Sequence, residues 1–174
     1  NQKNNIVSSD LTYTILAEQS TFIDFEIEGI DEFSEDNILS AAHLGAGSRV
    51  KNSAETLASI ERDIERYMNE QGYLDASVEA QCLEGDTYCR RMKLSVYEGS
   101  PFTISEILVD GDGLSPEFDR ELRSVVEPGD PATASTASTI ERELVLGLRK
   151  EGYIAARISP HYEAVSGTST AKLL

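Results

Sequence analysis

Basic side chains are scarce in this 174-residue sequence: 15 Lys and Arg stand against 31 Asp and Glu, a formal charge of −16. Phosphate backbones and anionic membrane surfaces would be repelled, so no nucleic-acid partner is expected. Long apolar runs are missing as well, and nothing approaches the roughly 18 residues that define a membrane-spanning helix. Histidine occurs only at His43 and His161, neither with a partner at ligand spacing, so no metal site is expected. No nucleophile elbow, nucleophile–base–orienter set or phosphate-cradling glycine loop is visible. The expectation is therefore a non-enzyme without a cofactor. A clustered set of shifted carboxylates would revive an enzyme reading. No secretory signal opens the chain, and its beginning (NQKNNIVSSD) and end (AKLL) are those expected of a fragment or processed form. With 40% hydrophobic residues, the chain has enough apolar matter to fold.

What is present is a repeated device. In residues 57–73, LASIERDIERYMNEQGY, the side chains of Leu57, Ile60, Ile64, Tyr67 and Met68 recur at helical spacing on one face. Gly72 comes next, at the position where a left-handed residue closes a helix, and Tyr73 is placed to pack back on Met68. Ile140, Leu144 and Leu148 form the same stripe 80 positions later, closed by Gly152 and followed by Tyr153, expected to cover Leu148.

The surrounding sequence repeats in step. Ile23, Phe25 and Ile27 alternate with acids as in a strand buried on one face, and Gly29 ends it. Ser34 caps a short helix, with Glu35 and Asp36 in its first turn and Ile38, Leu39 and Ala42 inside. The long helix comes next, then a strand from Leu74 through Cys82 and a third marked by Met92, Leu94 and Val96. The second copy places Ile107 and Val109 in its first strand, Ser115 and Pro116 at a helix start, and Ile154, Ala156 and Ile158 in its second strand. Its final strand, near 170–174, looks truncated. Residues 11–17, LTYTILA, read as the last strand of a preceding unit. The organisation expected is thus a loose start and a leftover strand over 1–20, one unit over 21–99 and another over 100–174. The fold class is α+β: tandem small domains of order β-α-α-β-β, each a three-stranded sheet covered on one face by two helices.

This order resembles the polypeptide-transport-associated (POTRA) domain. The residues carrying the resemblance are FIDFEIEG (22–29), NEQGYLDASVEA (69–80), YEGSPFTISEILVDG (97–111) and KEGYIAARI (150–158). Such domains stand in tandem before outer-membrane β-barrels of the BamA, TamA and two-partner-secretion kinds. The resemblance implies a periplasmic location and a role in handling polypeptides. Implied partners are unfolded outer-membrane proteins or secreted passenger polypeptides, accessory periplasmic proteins, and the protein's own C-terminal β-barrel.

Two sites stand out. A three-stranded sheet has free edges that can take an extended peptide by main-chain pairing. In POTRA domains the second strand is an edge. The candidate acceptor is therefore Leu74, Asp75, Ala76, Ser77, Val78, Glu79 and Ala80, which contains no proline; the matching strand of the second unit has Pro160. The alternative is an edge that merely faces solvent or a neighbouring unit, in an arm acting as a spacer.

The second site is Cys82 and Cys89, which bracket LEGDTY. A two-residue II′ turn at Gly85-Asp86 would set the thiols opposite one another. That register sets Val78 against Lys93, whereas the apolar pattern wants Val78 against Leu94, so a bulge near Arg90–Arg91 is needed. An odd-length loop would instead leave the thiols on opposite faces. The disulfide is the favoured reading and fits an oxidising compartment. A faint calcium-loop echo at Asp110, Asp112 and Glu121 lacks its central glycine and third acidic ligand, and a strand-to-helix turn explains it better.

Overall fold

A computed structural model describes residues 23–45, 47–109 and 116–174. The expected strand over 11–17, Phe22, the acidic turn at 110–114 and the Ser115 cap lie outside the described residues.

The first unit runs β1 (Asp24–Glu28), α1 (Glu35–Ala41), β2 (Val50–Lys51), α2 (Ala54–Glu70), β3 (Ser77–Glu84), β4 (Tyr88–Cys89) and β5 (Arg91–Tyr97). Strand β1 pairs parallel with β5, and β5 pairs antiparallel with β3, giving the sheet order β1-β5-β3. The short β2 and β4 form a separate antiparallel ribbon. The second unit runs β6 (Thr103–Ile107), α3 (Pro116–Val125), α4 (Ala134–Lys150), β7 (Tyr162–Ala164) and β8 (Thr170–Leu173), in the order β6-β8-β7. Each unit is thus α+β, with two helices set between the first strand and the closing pair. No helix among the described residues is long and apolar enough to cross a membrane.

Alternation decides the faces. Phe25 and Ile27 stand beside Met92 and Leu94, and these beside Cys82 and Ala80, all on one side of the first sheet. That side meets Ile38 of α1 and Ile60, Ile64 and Met68 of α2 in one core. The other side carries exposed ion pairs, Arg91–Glu26 at 3.0 Å and Lys93–Glu28 at 2.7 Å. Such pairs add little stability in water. The second core gathers Phe102, Ile104, Phe118, Leu122, Ile140 and Leu144.

Helix ends obey the expected chemistry. Ser34 caps α1 through the Asn37 amide, and Ser53 and Thr133 cap the two long helices in the same way. Gly72 has φ +95°; its amide donates to Asn69 and the Tyr73 amide donates to Met68, the paired bonds that satisfy the last helical carbonyls. Gly152 and Tyr153 repeat both bonds to Arg149 and Leu148. The side chains then diverge, since Tyr73 packs on the first core while Tyr153 is 55% exposed. α1 ends differently: His43, at φ 55°, takes the left-handed position, so its role is a backbone one.

Several expectations are corrected. Strand β3 begins at Ser77: Leu74 packs against the second core, Asp75 accepts the Ser100 amide, and the Ala76 amide closes a turn onto Tyr73. In the second unit Ile154, Ala156 and Ile158 form no strand; Ile154 is 82% exposed, and the strand comes later, at β7, after Pro160. Proline offers no amide to a sheet, so pairing resumes only beyond it. Val109 lies beyond the end of β6 and is 45% exposed. Val78 faces Val96, and Leu94 faces Ala80, so both registers expected for Val78 fail. The irregularity does fall at Arg91, between the Cys82–Met92 and Glu84–Arg91 pairs, but its extra residue, Leu83, lies on β3. There is no two-residue turn: the Arg90 amide reaches Glu84 O at 2.7 Å, and β4 departs to pair with β2.

Cys82 and Cys89 nevertheless form the disulfide, with Cα atoms 5.7 Å apart. It ties β3 to the β2–β4 ribbon across the bulge. Reduction, or the Cys82→Ser/Cys89→Ser pair, is expected to lower unfolding free energy by about 2–2.5 kcal/mol for so short a loop. Urea denaturation with and without reductant checks this; equal midpoints would contradict it.

Candidate functional site

The candidate acceptor is the outer side of β3, which among the described residues pairs only with β5. In an antiparallel ladder alternate residues turn both amide and carbonyl away from the partner strand. Here these are Val78 and Ala80. Their amides are not bare: Val78 N donates to Glu65 Oε1 at 3.0 Å, and Ala80 N donates to Glu61 Oε1 at 2.9 Å. Glu61 and Glu65 are one helical turn apart on α2, so both carboxylates reach the same edge. Two amides two residues apart on a strand thus match two carboxylates four residues apart on a helix.

Below this edge the two units are joined. The Phe102 amide donates to Gly72 O at 2.8 Å, so the left-handed turn that ends α2 also receives the first residue of the second unit. A Cβ at Gly72 would lie 3.2 Å from Thr133 Cγ2. Leu74 leaves its own unit and packs against the second core. Asp75 Oδ1 accepts the Ser100 amide at 3.4 Å. Of the seven residues read from sequence as a peptide-binding edge, Leu74 and Asp75 therefore build this joint, Ala76 packs on the first core, and Ser77, Val78, Glu79 and Ala80 form the edge.

Glu98 anchors the joint from the other side. It is 7% exposed, and its carboxylate accepts amides from Asp31 (2.8 Å), Glu32 (3.0 Å) and Phe33 (3.2 Å). Three backbone donors compensate a charge that could not otherwise be buried. The loop they hold delivers Phe33 edge-on to Tyr67 and Tyr73, with ring centroids 5.7 and 4.9 Å apart. Burial raises the Tyr73 phenol pKa, and the nearby Glu32 and Glu98 charges raise it further.

Beside the edge runs a groove of about 960 Å³ between α2 and α4. Glu65, Arg66 and Asn69 line it from the first unit, and Glu141, Pro160 and Tyr162 from the second. Asn69 Oδ1 is buried, with no hydrogen-bond partner among the described residues. The Tyr162 hydroxyl donates to Thr133 O at 3.0 Å, and burial pushes its pKa up to about 12. Among the described residues no three His, Cys, Asp or Glu side chains gather to hold a metal. Asp110 and Asp112 of the calcium echo lie outside the described residues.

No family model and no curated protein matches the sequence. Solved structures do match. POTRA domains 3–5 of BamA from Haemophilus influenzae align at 18% identity and TM-score 0.52, over 88% of this chain and 63% of that one. BamA from Haemophilus ducreyi lacking POTRA domains 1–3 aligns at 20% identity and TM-score 0.51, over 88% of this chain and 28% of that one. The chain has the POTRA fold. It spans less than two thirds of either matched chain, and at these identities the likeness is one of fold.

In POTRA terms β3 is the exposed second strand of the first unit. The functional residues missed from sequence are Glu61, Glu65 and Glu98. The first two read as ordinary solvated charge. The third had a signal, since both Glu18 and Glu98 stand four residues before a phenylalanine that opens a unit.

Glu98→Gln replaces an acceptor oxygen with a donor facing an amide. The expected loss is about 1.5–3 kcal/mol of stability, read by urea denaturation. For Tyr162 the folded pKa lies above the ordinary value of 10.0, so its contribution is complete below pH 10 and fades as pH rises towards 12. Tyr162→Phe should flatten that alkaline decline; an unchanged slope in denaturation midpoints from pH 9 to about 12 would contradict it.

Proposed function

We propose that this chain is the periplasmic POTRA region of an outer-membrane β-barrel assembly or translocation protein, where it binds nonnative client polypeptides or accessory proteins by strand addition at β3. The observation that carries this reading is the state of the β3 edge. Its outward amides are met by side-chain carboxylates and not by another strand, so an extended peptide can take their place without breaking the sheet. The adjoining groove offers side-chain contacts beyond the edge. The function is one of binding, with no chemistry assigned to the protein and no cofactor. The clients would be unfolded outer-membrane proteins or, in a two-partner secretion transporter, secreted passengers.

The joint favours a second reading, a spacer that holds a barrel and its partners at a set distance and angle. The Phe102–Gly72 bond and the insertion of Leu74 into the second core support it. The two readings separate in the parent cells. A photo-crosslinking residue at Glu79 or Gln81 should yield client adducts if β3 accepts strands, whereas a spacer yields none. In vitro, an eight-residue alternating Thr-Val peptide with two threonines replaced by Lys, to suit the chain's charge of −16, should shift the amides of residues 77–82 in NMR spectra of the labelled chain. Shifts confined to other regions would overturn strand addition.

A further inference from the structure

We propose that Glu61 and Glu65 make the β3 edge selective, favouring extended segments that carry Lys or Arg on the side facing α2 over neutral strands, and neutral strands over acidic ones. This selectivity rests on strand addition at β3.

The amides that an incoming strand must capture are those of Val78 and Ala80, and the α2 carboxylates already occupy both. Entry is therefore an exchange: two carbonyls of the incoming strand, two residues apart, replace Glu65 Oε1 and Glu61 Oε1. A charged acceptor holds an amide more strongly than a neutral carbonyl does, so exchange with a neutral strand is unfavourable at that point.

The fate of the displaced carboxylates decides the selectivity. The side chains of Val78 and Ala80 point into the core beneath α2. Residues paired beside them on an added strand point to the same side, because neighbouring strands share their pleat. The freed carboxylates of Glu61 and Glu65 remain on α2 over that side. Cationic side chains there regain the lost interaction as ion pairs, threonine or valine regains nothing, and acidic side chains are repelled.

The surroundings do not cancel this field. The groove beside α2 carries Arg62 and Arg66, but also Asp63, Glu65, Glu70 and Glu141. Arg66 is already paired with Asp63 at 2.9 Å. The whole chain carries a charge of −16, so the long-range attraction also favours a basic segment. The second unit lacks the arrangement: 80 positions on, Val145 stands where the first unit has Glu65, and Pro160 stands where it has Ala80.

The test uses fluorescein-labelled eight-residue peptides: alternating Thr-Val, and versions in which two threonines become Lys or Glu. Fluorescence anisotropy is read on the native chain, on Glu61→Ala/Glu65→Ala and on Glu61→Gln/Glu65→Gln. On the native chain the Lys peptide should bind about fivefold or more tighter than the Glu peptide, with the neutral peptide between. In the alanine pair the neutral peptide should tighten and the Lys/Glu ratio should fall below about twofold. Amide hydrogen exchange at Val78 and Ala80 should quicken in that variant without peptide. The glutamine pair keeps an acceptor oxygen at each site, so it should lose the ratio while leaving amide exchange slow. Selectivity is overturned if the Lys/Glu ratio persists in both pairs, or if the neutral peptide gains nothing from the alanine pair. If no peptide binds any of the three proteins, strand addition itself is lost, and selectivity with it.

Discussion

A single buried carboxylate organises this molecule. Glu98 directly follows the last strand of the first unit, at the point where the chain must turn into the second. An anion there would be untenable without donors, and the loop over residues 31–33 supplies three backbone amides. Meeting that demand fixes the loop, and the loop places Phe33 against Tyr73. Tyr73 comes directly after Gly72, whose carbonyl takes the Phe102 amide. Strand end, first loop, long-helix terminus and second unit are thereby closed into one ring of contacts.

The same logic governs the exposed edge. A free strand edge is a hazard as well as an opportunity, because any extended chain can pair with it. Here a helix of the same unit lends two carboxylates to the edge amides, so the margin is neither bare nor covered by backbone. A side chain can withdraw where a strand cannot. The edge therefore stays satisfied in the free protein.

Much of the fold was legible because it rests on short-range signals. The stripe from Leu57 to Met68, the Ser34 cap and the glycines at 72 and 152 each act over a turn or two of chain. The 80-residue repetition then yields the order of elements, and with it the POTRA resemblance. Register was not legible. Alternation says which face a residue occupies but not which neighbour it meets, so it sets Val78 against Leu94 when the actual neighbour is Val96. Leu74 misleads in the same way: it continues the alternation of the strand after it, yet it is spent on the neighbouring core.

By itself the sequence determined the two long helices and their stops, the parity of the strands of the first unit, the duplicated order and the absence of a long apolar span. These depend on local backbone preference and on spacing along one chain. Tertiary structure alone decided that Glu98 is an anchor and that Glu61 and Glu65 cover the edge of β3. It also decided that the cysteines meet across a bulge and not across a tight turn. Each of those is a meeting of groups brought together by folding, and a carboxylate reads the same in sequence whether it ends in water or on an amide.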